Sequence, residues 1–561
     1  MLARLSCVLG LASVACAAVL HATAPQVRIG KTTLIGRAMT GLRQDFFGGI
    51  PYAEPPLGDL RLRPPVLKTQ LDVPTFDASN FGKGCLQIKG NLSTLSEDCL
   101  TINIFRPSGC VSNARLPVMF WTYGGGFDAG ASSSFNGSAI VAQSVSRGTP
   151  IIFVSFNYRL GPLGFPQGQE ADNKGALNLA LKDELAALEW VQANIAKFGG
   201  DSCKVTAFGE SAGAIMTAIL FLNSGFERLA RAAIFESGSA ATALEFNASH
   251  RETDWQNFVA GVPSCAALAR SGNTFGCLQK ASSAELLAGV VHGLDAVTEL
   301  FGYDPTIDGP GGVFPDIASR LISAGKFAKL PFIAGTNLDE GTLFTPTSSA
   351  ALTEAAIHAS ILTSYSPPLV NTLVLNDTAA QLLALYPNDP AVGAPFGTGA
   401  QTFGLAAGYK QLAALNGDLS FDSQRRSWIQ AASGAGVKTY GYLFTQPQPQ
   451  NPPALGVSHG SEVAFVFGGV ANPSPAAQRL STMMIDYWVS FATSLDPNDG
   501  RGSRRPLWAQ YTPRNNMLLQ LNGTNTTLIP DDYRKEQIDF INSDPTVFHH
   551  RRHARRMGAG N

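Results

Sequence analysis

Short apolar runs of strand length alternate along this chain with stretches whose apolar positions recur every three or four residues. "PVMFWTYGGGF" from Pro117, "TPIIFVSFNYRLG" from Thr149 and "CKVTAFGES" from Cys203 are strand-like, and each ends in glycine or polar residues. Between the last two lies "ALNLALKDELAALEWVQANIAKFGGD". Here Leu181, Leu185, Leu188, Val191 and Ile195 recur at helical spacing, and Gly199 with Gly200 stops the helix. "AQRLSTMMIDYWVSFATSLDPND" predicts a late helix whose Met and aromatic residues belong to the core. This alternation predicts an α/β fold on a large, mostly parallel sheet flanked by crossover helices. Such sheets carry their functional loops at the carboxyl ends of the strands. No repeat, low-complexity block or linker interrupts residues 25–545, which read as one catalytic domain.

The two ends depart from this pattern. "MLARLSCVLGLASVACAAVLHATA" has one Arg, an apolar run from Leu5 to Leu20 and then small residues. That run is shorter than the ~20 residues of a membrane span and has signal-peptide proportions. The reading is a signal over residues 1–18, with cleavage near Ala17 or Ala18 or as late as Ala24, and a secreted, extracellular product. At the other end, residues 546–561 contain "HHRRHARR", His549 to Arg556, read as a disordered basic tail without the apolar stretch of a lipid anchor. No stable membrane anchor is expected.

Composition narrows the partners. Lys plus Arg number 41 against 42 Asp plus Glu, a formal net charge of −1, so no global field favours nucleic acid. Hydrophobic residues make up 45% of the chain, enough for a large core. Six Asn-X-Ser/Thr sequons suit a secreted chain and are glycosylation candidates: Asn91, Asn136, Asn247, Asn376, Asn522 and Asn525. Once Cys7 and Cys16 leave with the signal, Cys85, Cys99, Cys110, Cys203, Cys265 and Cys277 remain, and six cysteines permit fifteen pairings.

The chemistry concentrates in "VTAFGESAGAI", where Gly209-Glu210-Ser211-Ala212-Gly213 follows a strand and precedes a helix. A Gly-x-Ser-x-Gly there makes a sharp turn that lifts a serine hydroxyl to the sheet's edge. A serine needs a base to take its proton and a carboxylate to orient that base. Among the histidines, His459 stands in a Gly- and Ser-flanked loop, "ALGVSHGSEVAFVFGG", whereas His292 and His358 fall in probable helices. "LPFIAGTNLDEGTLF" ends a strand at Gly335 and offers both Asp339 and Glu340, between which the residues alone do not choose. Gly124-Gly125-Gly126-Phe127, straight after a strand, and Ala212, after the serine, supply backbone N–H groups for an anionic intermediate. One such donor is typically worth ~3 kcal/mol.

Together these stretches resemble the type-B carboxylesterase/lipase family, which includes cholinesterases and fungal secreted lipases and sterol esterases. The resemblance covers nearly the whole mature chain. It rests on "FFGGIPYAEPPLGDLRLRPP" from Phe46, "SEDCLTINIFRP" from Ser96, "YGGGF" from Tyr123, "NYRLGPLGF" from Asn157, "FGESAGA" from Phe208, "DEGTLF" from Asp339 and "GVSHGSEVAFVFG" from Gly456. It implies an α/β-hydrolase fold and a carboxylic ester hydrolase without metal or cofactor, acting on a small-molecule or lipid ester. The roles it implies are Ser211 as nucleophile, Glu340 as acid, His459 as base, and Gly125, Gly126 and Ala212 as oxyanion hole. It also implies the disulfides Cys85–Cys99 and Cys265–Cys277, leaving Cys110 and Cys203 unassigned.

Only thirteen residues, without a tryptophan, separate Cys85 from Cys99, where related lipases carry a long lid and cholinesterases a choline-stacking tryptophan. A large lid and choline selectivity are therefore not expected. Glu236 stands where an amide is more usual in the family, with a consequence for the acyl side of the pocket or none. One alternative is a lipase or sterol esterase for long-chain acyl esters, its tunnel lined by residues such as Phe127 and Phe344. The other is a non-catalytic binding protein on the same fold; such relatives typically lose a triad member, and this chain keeps all three.

Overall fold

The computed structural model describes residues 24–548, apart from 244, 298, 300, 366–371 and 544. The signal at 1–18 and residues 549–561 lie outside the described residues. The start of the tail read as disordered, 546–548, instead belongs to a short helix, Pro545–Phe548, whose Val547 and Phe548 are buried in the core. Six strands at the centre position everything that follows: β1 (Leu116–Thr122), β2 (Ile152–Phe156), β3 (Gly200–Glu210), β4 (Ala232–Glu236), β5 (Phe332–Asn337) and β6 (Thr439–Phe444). In space they run in the order β6, β5, β4, β3, β1, β2, all parallel.

Met517–Leu521 adds a further parallel strand beside β6, and Thr527–Pro530 closes that edge antiparallel. Beyond β2 the strands Thr101–Pro107, Gln44–Pro51 and Arg37–Met39 continue antiparallel, giving eleven strands in one sheet among the described residues. The apolar runs are continuous rather than alternating because helices cover both faces of such a sheet. Every residue of β2, β4, β5 and β6 is buried.

Helix α1 (Leu179–Asn194) joins β2 to β3 as predicted, with Leu181, Leu188 and Val191 buried. A short 3-10 turn, Ile195–Phe198, extends it until Gly199 enters the left-handed region at φ 89°. Two acids on α1 sit inside the core and are paired. Asp183 takes a bidentate contact from Arg159 at 2.6 and 2.9 Å, and Glu184 accepts from Thr122 and Thr217. Such partners offset the cost of burying carboxyl groups. The late helix runs Pro475–Ser494, and its Met484, Tyr487, Trp488 and Phe491 are core residues.

Strand β5 runs two residues past Gly335, the predicted end, because Thr336 and Asn337 still pair with Leu443 and Phe444 of β6. The two implied disulfides are formed, with Cα separations of 5.1 Å for Cys85–Cys99 and 5.7 Å for Cys265–Cys277. Cys110, half-buried, and Cys203, exposed, are free thiols. Of the sequons, Asn91, Asn136, Asn376 and Asn525 are exposed, while Asn247 and Asn522 are half-buried. The Asn522 amide donates to Thr445 O at 2.9 Å. No helix among the described residues is long and apolar enough to cross a membrane.

Candidate active site

At the end of β3 the chain turns at Ser211 (φ 54°, ψ −127°) and enters helix α2 (Ala212–Leu220). Few L-residues hold that conformation, and such strain persists only where neighbours over-determine it. Two features do so. Ser211 N donates to Glu236 O at the end of β4 (2.9 Å), and both motif glycines press on the end of β1. A Cβ on Gly209 would meet Thr122 O at 2.6 Å and one on Gly213 at 2.0 Å, so only glycine lets the strand and helix close this tightly.

Glu340 follows β5 on a 3-10 turn (Glu340–Phe344) and is buried. Its Oε2 lies 2.5 Å from His459 Nδ1, the ring nitrogen that must carry the proton to face a carboxylate. Its Oε1 accepts from Asn337 N and Ser237 Oγ, both at 2.6 Å. A second carboxyl, Glu462, lies against the same two residues, 3.1 Å from Ser237 Oγ and accepting from the Asn337 side-chain Nδ2 at 2.6 Å. The structure thus brings Glu340, not Asp339, to the imidazole. Asp339 turns away and accepts the backbone N–H groups of Phe396 and Val457, each at 2.8 Å.

The other imidazole nitrogen, Nε2, lies 3.2 Å from Glu210 Oε1 and has no hydrogen-bond partner among the described residues. Glu210 immediately precedes Ser211, so this contact places the imidazole over the serine turn. Burial pulls the His459 pKa down, but the carboxyls of Glu340 and Glu210 outweigh it and raise the value to about 9. Burial and the neighbouring acids push Glu210 and Glu462 upward. The ring is also clasped by aromatics, with Phe421 at 4.6 Å and Phe344 at 5.0 Å between centroids. Phe421 comes from a π-helical turn, Asp418–Asp422, set between the helices Gly408–Gly417 and Ser423–Gly434, a kind of insertion frequent at functional sites.

The glycine loop after β1 closes the arrangement. A Cβ on Gly124 would touch Glu210 Oε2 at 2.6 Å and Ser211 Cβ at 2.8 Å, so the loop lies directly against the serine. The N–H groups of Gly125, Gly126 and Ala212 donate to no protein acceptor among the described residues. They are available to an oxyanion. A cleft of about 520 Å³ opens over Gly124, Gly125 and Glu210, walled by Gln87 and Leu95 of the Cys85–Cys99 loop. That loop forms no helix.

The aromatic candidates divide. Phe127 is fully buried, edge-on to Phe165 and Phe301, and does not line that cleft. Phe344 is half-buried against His459. Glu236 is also off the cleft: its Oε1 accepts from Trp488 Nε1 at 2.6 Å in the core. Sequence reasoning missed Glu210, Glu462, Ser237 and Phe421 as neighbours of the Glu340–His459 pair. For the first two a signal existed, since one adjoins Ser211 and the other follows His459 by three residues.

The family model described as "Carboxylesterase family" matches residues 23–541. The chain belongs to the carboxylesterase family. Its relatives include "Lipase 1" of Geotrichum candidum, 34% identical over 94% of this chain and 97% of that protein. "Secreted lipase 1" of Botryotinia fuckeliana is 34% identical over 93% of each. Among solved structures, Aspergillus niger EstA superposes with a TM-score of 0.81 at 26% identity, covering 94% of this chain and 99% of that one. A carboxylesterase with these relatives has an α/β-hydrolase fold and is a carboxylic ester hydrolase.

Proposed function

We propose that the protein is a secreted serine hydrolase that cleaves carboxylic esters through an acyl-enzyme. The observation that carries this reading is the convergence on one turn of Ser211, the Glu340–His459 pair and three unused backbone N–H groups. Ser211 Oγ attacks the ester carbonyl as His459 Nε2 takes its proton. Glu340 holds the ring's orientation and stabilises the imidazolium that results. The N–H groups of Gly125, Gly126 and Ala212 receive the oxyanion. The imidazolium then protonates the departing alcohol, and water, activated by the same base, releases the acid and restores Ser211.

Secretion is supported by the signal-like first 18 residues, the two disulfides and the name of the Botryotinia relative. The relatives' names favour lipid esters as substrates, and the short, non-helical Cys85–Cys99 loop favours catalysis that does not wait for a large lid to open. Hydrolysis of p-nitrophenyl esters from acetate to palmitate, below and above each solubility limit, tests both points. The wild type is expected to turn over dissolved esters without a jump at the solubility limit, and Ser211→Ala to be inactive. Equal activity of the two proteins would refute the assignment of the nucleophile.

A further inference from the structure

Two adjacent acids leave β5, and the structure gives them different partners on the same loop. Glu340 binds the imidazole of His459, while Asp339 binds the backbone two residues earlier. Asp339 N donates to Val457 O at 3.0 Å and Asp339 Oδ2 accepts from Val457 N at 2.8 Å. Asp339 is also bridged to Ser458 in parallel-strand register. Its other oxygen, Oδ1, accepts from Phe396 N at 2.8 Å, so one carboxylate ties the histidine loop to a third segment. The approach is close enough to dictate sequence. A Cβ on Gly456 would meet Asp339 Oδ2 at 2.4 Å, and Gly456 is in addition at φ 56°.

We propose that Asp339 is a positioning residue for the ester hydrolysis, fixing through its two backbone hydrogen bonds the loop that presents His459. This rests on the reading of His459 and Glu340 as base and acid. A hydrogen bond to the ring alone leaves the loop backbone free to shift, and displacements of about 1 Å cost on the order of 10²-fold in rate. Asp339 removes that freedom because it is buried and accepts from both of its backbone donors.

The role requires the ionised form, since both oxygens must accept. Charged groups around the carboxyl are Arg534, whose guanidinium stacks 4.3 Å over the Phe396 ring, Lys410 and Glu340, with the Tyr409 phenol beside them. Burial raises the Asp339 pKa to about 6, against the pull of the Val457 and Phe396 N–H groups and Arg534, while Glu340 adds to the rise. At pH 8 the carboxylate is intact. As pH falls through that value the carboxyl gains a proton, and one of its oxygens then carries an O–H where it faced an N–H.

The test compares wild type, Ser211→Ala and Asp339→Asn on p-nitrophenyl butyrate at pH 8 and pH 5. The amide, like the protonated acid, lacks one acceptor. Asp339→Asn is expected to lower kcat on the order of 10²-fold at pH 8 with KM little changed, and the ratio of wild type to variant to shrink towards one at pH 5. An unchanged kcat, or a ratio constant across pH, would overturn the proposal. Hydrogen exchange on the wild type supplies a second readout that needs neither activity nor a folded variant. Protection of the Val457 amide is expected to fall between pH 8 and pH 5 while β5 stays protected, and constant protection would overturn the latch. If wild type were no more active than Ser211→Ala, the ester-hydrolase reading would fail while the exchange result still decided how the loop is held.

Discussion

Glu210 stands one residue before Ser211 and 3.2 Å from Nε2 of His459, so the imidazole is flanked by carboxyls at both nitrogens. The sign of the consequence follows. Burial lowers the imidazole pKa, yet Glu340 and Glu210 raise it to about 9, and the base works only when neutral. We therefore expect kcat/KM to climb with pH through the range below about 9. Glu210→Gln removes one of the charges that favour imidazolium, so its acid limb should move to lower pH. A pH profile of kcat/KM measures this directly, and coincident limbs would show that Glu210 does not set the proton affinity.

Ser237→Ala tests the far side of Glu340. The hydroxyl oxygen lies 2.6 Å from Glu340 and 3.1 Å from Glu462, so its single proton stands between two buried acids and favours the nearer, Glu340. Hydrogen bonds to charged groups are worth about 1.5 to 3 kcal/mol. Loss of this one should lower kcat by roughly ten- to a hundredfold with little effect on KM, since nothing here touches substrate. Steady-state kinetics on a short-chain ester separates the two constants.

Much of this was legible in the sequence for a physical reason. The central strands are buried on both faces, so they read as unbroken apolar runs, and the turns that end them need glycine. "VTAFGESAGAI" therefore announced the sharp turn at Ser211, and the Gly- and Ser-flanked loop marked His459 as the candidate base. Which carboxylate meets His459 was not legible from residue chemistry: Asp339 and Glu340 leave the same strand end, and only the 3-10 turn beginning at Glu340 decides which one faces the ring. Contacts made by sheet order were equally hidden. Trp488 reaches Glu236 across 252 residues, and a π-helical turn swings Phe421 onto His459 from a helix with no local mark of it.

Phe421→Ala probes that turn. The side chain is 1% exposed and packs on both Phe344 and His459. Removing a buried phenyl ring typically costs about 3 to 5 kcal/mol. The variant should melt at a lower temperature and, where still folded, show reduced kcat because the imidazole has lost a wall. Thermal unfolding and kinetics at a temperature below the variant's transition distinguish the two effects. A stable variant with unchanged kcat would mean that Glu340 and Phe344 suffice to hold the ring.

The backbone carbonyl of Glu236 holds Ser211 N, while its side chain carries a cost that depends on pH. The carboxyl is buried, Oε1 meets only the Trp488 indole N–H, and Oε2 has no hydrogen-bond partner among the described residues. Burial first, and then the nearby Glu462 and Glu210, push its pKa well above the usual carboxyl value. The folded protein therefore holds this proton to higher pH than the unfolded chain does. For an acid shifted upward, stability is fully present below the unfolded pKa and declines as pH rises towards the folded one. Glu236→Gln preserves the shape and has no proton to release. Its melting temperature should match the wild type near pH 4 and exceed it increasingly towards pH 8. Parallel melting curves across that range would show that the carboxyl is ionised in the fold. The amide more usual at this position in the family would then owe nothing to charge.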